Sequence, residues 1–154
     1  MLESDHDEEG WSPQGPVTEL SHERNWELLE AAAFGRLGVS VDNKPRIYPV
    51  NYCALGRSIL FRTAAGTKLH DLLTNRDVVF EVDGRTDHAT WSVIVDGTAH
   101  VVDDPDETAR ADRLPMPHWI PTATYVWVKI TPTHVTGRRF LRHLEVSRHH
   151  GAWL

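Results

Sequence analysis

Residues 61–69 read FRTAAGTKL. An apolar run, residues 58–61, leads into them, and KLHDLL with helical spacing follows from Lys68. The pattern predicts a strand ending in arginine and threonine, a turn of small residues, and a helix starting at Thr67. Arg62 offers a planar fork of donors suited to bidentate phosphate contact. Thr63 and Thr67 add hydroxyls, and Gly66 permits successive amides to converge on an anion. Lys68 stands at a helix start, where free amides and the helix dipole already favour negative charge. Spacing alone leaves two readings open: a capped surface turn, or an anion seat. The order GxxxxGK[ST] is absent, so the stretch is not a Walker loop.

Outward from this stretch, short segments of period two dominate. Leu37, Val39 and Val41 alternate with Gly38 and Ser40, as in a strand with one buried face. Residues 46–55 (RIYPVNYCAL) predict a second strand. Pro49 within it removes a ladder donor and places that strand at a sheet edge or a bulge. Residues 58–63, 78–82, 91–102, 124–131 and 134–140 predict five more, with a bend at Asp96-Gly97. Helices are expected from Ser21 to Gly35, over 67–74, and from Asp104 to about residue 114. Residues 115–121 (PMPHWIP) read as irregular. So few helices among so many strands favour an antiparallel, barrel-like, mainly β fold over a doubly wound parallel sheet.

At 154 residues the chain suits one domain with a real core. Its net charge of −6 is unevenly spread. The first 30 residues hold nine acids and one arginine, a local −8, which leaves the remainder at +2. Residues 1–18 are therefore expected to be a flexible acidic extension, 19–141 the folded domain, and 142–154 a tail of undecided structure. No long basic stripe points to nucleic acid. No apolar stretch approaches the ~20 residues of a membrane span, and no secretory signal is visible, so a cytoplasmic protein is expected. Cys53 is the single cysteine, which excludes an intramolecular disulfide and a cysteine-rich zinc site. The ten histidines show no HExxH spacing, and no metal site is assigned. No GxSxG elbow or serine with a partner base supplies a nucleophile, so catalytic residues stay unassigned.

Taken in order, RIYPVNY (46–52), FRTAAGTKL (61–69), VVFEVD (78–83), TWSVIVDGTAHVV (90–102) and VTGRR (135–139) resemble one family. They are similar to the flavin-binding split-barrel proteins of the pyridoxamine 5′-phosphate oxidase-like type, actinobacterial branch, over about residues 20–141. The resemblance implies a six- to seven-stranded antiparallel split β-barrel with peripheral helices. It implies a homodimer with FMN in a groove at the subunit interface. Arg62, Thr63, Thr67 and Lys68 would hold the FMN phosphate. Pro49, Val50 and Asn51 would lie along the isoalloxazine, and Arg46 on the same strand would also belong to the cofactor-binding set. Trp91 and Ser92 would reach the flavin from the opposing subunit. Relatives in the broader superfamily use a deazaflavin coenzyme or bind haem, and a non-enzymatic flavin-binding or sensing module is a further alternative. The C-terminal segment lacks the E-x-W and R-x-H pattern of authentic pyridoxamine 5′-phosphate oxidases, so vitamin B6 oxidation is not implied. The expected activity is transfer of hydride or electrons between the flavin and a small molecule, the difficult chemistry belonging to the cofactor.

Overall fold

The computed structural model describes residues 9–12, 15–116 and 124–141. Residues 117–121 of the proline-rich segment and the tail 142–154 lie outside the described residues. Those described form β1 (Glu9–Ser12), β2 (Gly15–Glu19), α1 (His22–Ala31), β3 (Phe34–Val41), β4 (Lys44–Asn51) and β5 (Cys53–Leu55). They continue through β6 (Ser58–Ala64), α2 (Thr67–Thr74), β7 (Asp77–Arg85), β8 (Ala89–Val101), α3 (Pro105–Asp112) and β9 (Tyr125–Leu141). Two strands thus form within residues 1–19, where the composition suggested a flexible extension. β2 is anchored there by pairing with the end of β9, Val17 opposite Phe140.

Every ladder is antiparallel, as the short connections require. The strands run in the order β1-β2-β9-β8-β7-β3-β4, with β6 on β9 and β5 on β6. Mainly antiparallel β structure with peripheral helices is therefore present, but the expected split β-barrel is not. The sheet has nine strands among the described residues, and it stays open because β4 and β6 share no ladder. The reason lies at Tyr52, which divides the expected strand 46–55 into two. Before it, β4 pairs with β3; after it, β5 pairs with β6. Tyr52 itself is buried, its N–H donating to the Ala33 carbonyl (3.0 Å) and its hydroxyl to the Leu29 carbonyl (2.6 Å). Pinned to α1, it cannot carry one continuous ladder from β3 to β6.

At the other end of the chain the reverse occurs: two expected strands merge into β9. Thr133 is an extra residue between Pro132, opposite Gly97, and His134, opposite Asp96. Its hydroxyl donates to the Asp96 carbonyl at 3.1 Å, which holds the bulge closed. A bulge accommodates the proline without ending the strand. Gly97 is required opposite it, since a Cβ there would lie 2.6 Å from the Thr131 carbonyl oxygen.

The main core gathers Leu29, Leu37, Ile59, Phe61, Phe80, Val93 and Val95, all fully buried. Each such side chain contributes about 1.5–3 kcal/mol by leaving water. A second cluster of Leu60, Val102, Ala111, Met116 and Trp127 lies under α3. β6 separates the two clusters, with Ile59 and Phe61 facing the first and Leu60 the second. By the same alternation, Thr63 and Arg62 leave β6 on opposite faces.

Candidate functional site

The strand–turn–helix over residues 58–74 forms as its sequence suggests, β6 ending at Ala64, one residue later than expected, and α2 starting at Thr67. Gly66 is the N-cap of α2 and supplies no side-chain cap. Its φ of 168° is ordinary extended backbone, so the glycine is not there for strain. It keeps the position open: a Cβ built on Gly66 would meet nothing within 4 Å. The first amides of α2 have no intrahelical acceptor, and its first turn holds no acid. Lys68 is half-buried there, and desolvation holds its ammonium below the ordinary lysine range.

Opposite α2 stands β4. Tyr52 donates its N–H toward β3, so alternation turns the backbone of Tyr48 and Val50 to β3 as well. The backbone of Pro45, Ile47, Pro49 and Asn51 then faces the open edge of the sheet. Pro49 is thus an edge-strand proline, as its missing donor predicts, and Pro45 repeats the device four residues earlier. On the α2 side of β4, Tyr48 donates its hydroxyl to Asp71 Oδ2 at 2.8 Å. Arg46 Nε lies 3.9 Å from the same oxygen, and Lys68 Nζ lies 5.5 Å from the centre of the Tyr48 ring. Asp71 is buried, and its hydrogen bond raises the Tyr48 phenol above its usual range. Two cations, a phenol and one buried carboxylate therefore meet beside an uncapped helix start.

The expected site residues divide accordingly. Arg46 and Lys68 come together around Tyr48 and Asp71, with Thr67 exposed at the first position of α2. Pro49 and Asn51 line the open edge, whereas Val50 is buried in the core. Thr63 is buried and donates its hydroxyl to the Ala64 carbonyl at 3.2 Å. Arg62 lies on the α3 side, its guanidinium carbon 5.1 Å from the Tyr125 ring centre and 5.4 Å from that of Trp127. Trp91 packs on the main core and over Gly84, while Ser92 is half-exposed opposite Asp83 and Arg138. Within one chain these two are remote from α2. Trp91 pairs with Arg139 and Thr63 with Val126, on the order of 40 Å apart along β9.

Sequence reading missed Tyr48 and Asp71. Two signals were available: Tyr48 shares a strand face with Arg46, and Asp71 is an acid on the buried side of α2, beside Leu72. A cavity of ≈ 560 Å³ is lined by Gly38, Arg46, Ile47, Val79 and Thr98 among others. Among the described residues, no cluster of histidine, cysteine and acidic side chains is arranged to hold a metal ion. None of their helices is long and apolar enough to cross a membrane.

This fold, with an open seat between a helix start and a sheet edge, is that of a known protein class. The family profile described as pyridoxamine 5′-phosphate oxidase matches residues 21–139, and the chain belongs to that pyridoxamine 5′-phosphate oxidase-like family. Its relatives include actinobacterial proteins. A Corynebacterium glutamicum crystal structure is 40% identical, covers 82% of this chain and 100% of its own, and superposes with a TM-score of 0.76. The structure of the FAD binding protein from Mycobacterium smegmatis is 42% identical with the same coverage and a TM-score of 0.74. An uncharacterized Mycobacterium tuberculosis protein is 32% identical over 139 residues, covering 84% of this chain and 91% of the relative.

Proposed function

We propose that the protein binds a flavin by its phosphate at the start of α2 and acts as a flavin-dependent oxidoreductase on a small molecule. The observation that carries this reading is the uncapped first turn of α2 with Lys68 inside it and Arg46 across from it. The seat fits a phosphate. Free amides converge there, the dipole favours an anion, and Gly66 leaves room for it. Thr67 supplies a further hydroxyl. Tyr48 stays a phenol and a donor, and Asp71 holds it and Arg46 in place. The open edge of β4, with backbone groups of Ile47, Pro49 and Asn51, suits the polar rim of the ring system.

When bound, the flavin supplies the redox chemistry by accepting and returning a hydride or single electrons. The chain supplies position, charge and exclusion of water. Arg62 and Thr63 flank the seat from β6, Arg62 serving through its charge at the α3 side. Two copies complete the site in this reading, because Trp91 and Ser92 can reach a flavin only from a partner. The exposed Ile47, 72% accessible, and Val79 on the outer face favour such a pairing. FMN is the form the single phosphate seat requires at minimum, and the naming of the M. smegmatis relative extends the reading to FAD. Vitamin B6 oxidation forms no part of it, since the segment 138–154 lacks the substrate-gripping pattern.

The test is an equilibrium titration of purified protein with FMN, repeated for Lys68→Ala. Binding should weaken about tenfold in the variant, the worth of one charge-assisted contact. Wild-type affinity in Lys68→Ala would remove α2 from the site.

A further inference from the structure

Apart from the Arg62 charge, the phosphate seat does not use the side chains that crowd the opposite face of β6. Arg62 stands opposite Trp127, and Ala64 opposite Tyr125, so the strand delivers this cluster to the edge of the turn at residues 65 and 66. Two turn residues, 65 and 66, at most about 10 Å of chain, separate Ala64 from the first residue of α2. The two rings meet edge to face, with centroids 6.4 Å apart and planes at 87°. Asp112 Oδ1 accepts from both of them, from the Tyr125 hydroxyl at 2.9 Å and from Trp127 Nε1 at 2.8 Å. The Trp127 bond, then the Tyr125 bond and the Arg62 charge, hold the Asp112 carboxyl below its usual range despite some desolvation. It therefore stays an acceptor and keeps both rings in one orientation.

Trp127 is a buried member of the cluster under α3, but Tyr125 is 43% exposed. Its hydroxyl is committed to Asp112, so what it offers outward is a ring. The Arg62 guanidinium lies over one face of that ring and adds a flat, cationic surface. A fixed aromatic ring next to a planar cation is a stacking platform for a nucleobase, where each stacked base gains about 1–3 kcal/mol. FMN ends at its phosphate and would leave this platform bare. FAD continues past that phosphate into a second phosphate and an adenosine.

We propose that Tyr125 and Arg62, braced by Asp112 and Trp127, form an adenine shelf that makes the protein select FAD over FMN. The inference rests on the phosphate seat proposed above. Arg62 then counters the second phosphate and flanks the base, while Tyr125 carries the stack.

The experiment titrates the purified full chain with FAD and with FMN, following flavin fluorescence, for wild type, Tyr125→Ala and Tyr125→Phe. FAD should bind at least tenfold more tightly than FMN to wild type. Tyr125→Ala should lose about tenfold in FAD affinity while FMN affinity stays within twofold. Tyr125→Phe keeps the ring without the bond to Asp112, and should keep the FAD preference. Equal wild-type affinity for the two flavins overturns the shelf but leaves the seat standing. Equal weakening of both flavins by Tyr125→Ala, or loss of the preference in Tyr125→Phe, also overturns it. No binding of either flavin overturns the seat and the shelf together.

Discussion

α2 and α3 are both eight residues long and begin in opposite ways. α3 closes its own N-terminus: Asp104 accepts from the Asp106 amide at 3.1 Å, Pro105 fills the first position, and Asp106 and Glu107 complement the dipole. α1 does much the same through Ser21, whose hydroxyl accepts from the Arg24 amide at 3.1 Å. α2 has a glycine at the cap, no acid in its first turn, and a half-buried lysine whose charge adds to the dipole. A helix start built that way is locally unfavourable in isolation. Two helix termini are thus capped from within the chain, and in the proposed reading the third is left for an external anion.

The largest change should come from making α2 resemble α3. Gly66→Asp puts a carboxylate where the ligand's phosphate belongs, and FMN affinity should fall on the order of a hundredfold by cap competition and repulsion. Gly66 meets no neighbour, so the variant should fold, with a melting temperature equal to or above wild type. If affinity holds in Gly66→Asp, the contrast between the helices has no functional meaning.

A smaller effect is expected with pH. Only protonated Lys68 attracts the phosphate, and burial lowers its pKa in the free protein. FMN affinity should therefore decline on the alkaline side at a lower pH than an ordinary lysine would cause. Lys68→Arg should move that decline upward, because guanidinium stays charged. Matching alkaline profiles for the two proteins would place the pH effect elsewhere.

The smallest binding effect should follow from damage to α3. Asp104→Ala removes a cap worth about 1 kcal/mol, or about 2–4 °C in melting temperature for a chain of this size. FMN affinity should stay within twofold. A large loss of flavin binding would mean the two helix starts are coupled, contrary to the division of roles described above.

What was legible in the sequence follows the range of the interactions. The β6–α2 unit, the Ser21 cap, the acid-rich start of α3 and the irregularity at Asp96-Gly97 depend on neighbours a few residues apart, and each is found within a residue or two of where the sequence puts it. The open sheet was not legible, because it turns on Tyr52 reaching Leu29 across 23 residues. Nor was the merger into β9, since Pro132 in isolation reads as a strand end. Within the site, Lys68 and Arg46 were found as separate cations. Their meeting at Tyr48 and Asp71 joins two segments 23 residues apart, a contact that no local period encodes. Arg62 and Thr63 show a different failure. Adjacent residues of a strand face opposite ways, so a motif read as one cluster is divided by the strand that carries it.

In the proposed reading the chain grips its ligand by a phosphate at the start of α2. Titration of the same preparation with FMN and with riboflavin, which lacks only that phosphate, tests it most directly. FMN should bind at least tenfold more tightly, with the advantage lost in Gly66→Asp. Riboflavin binding as tightly as FMN would contradict it.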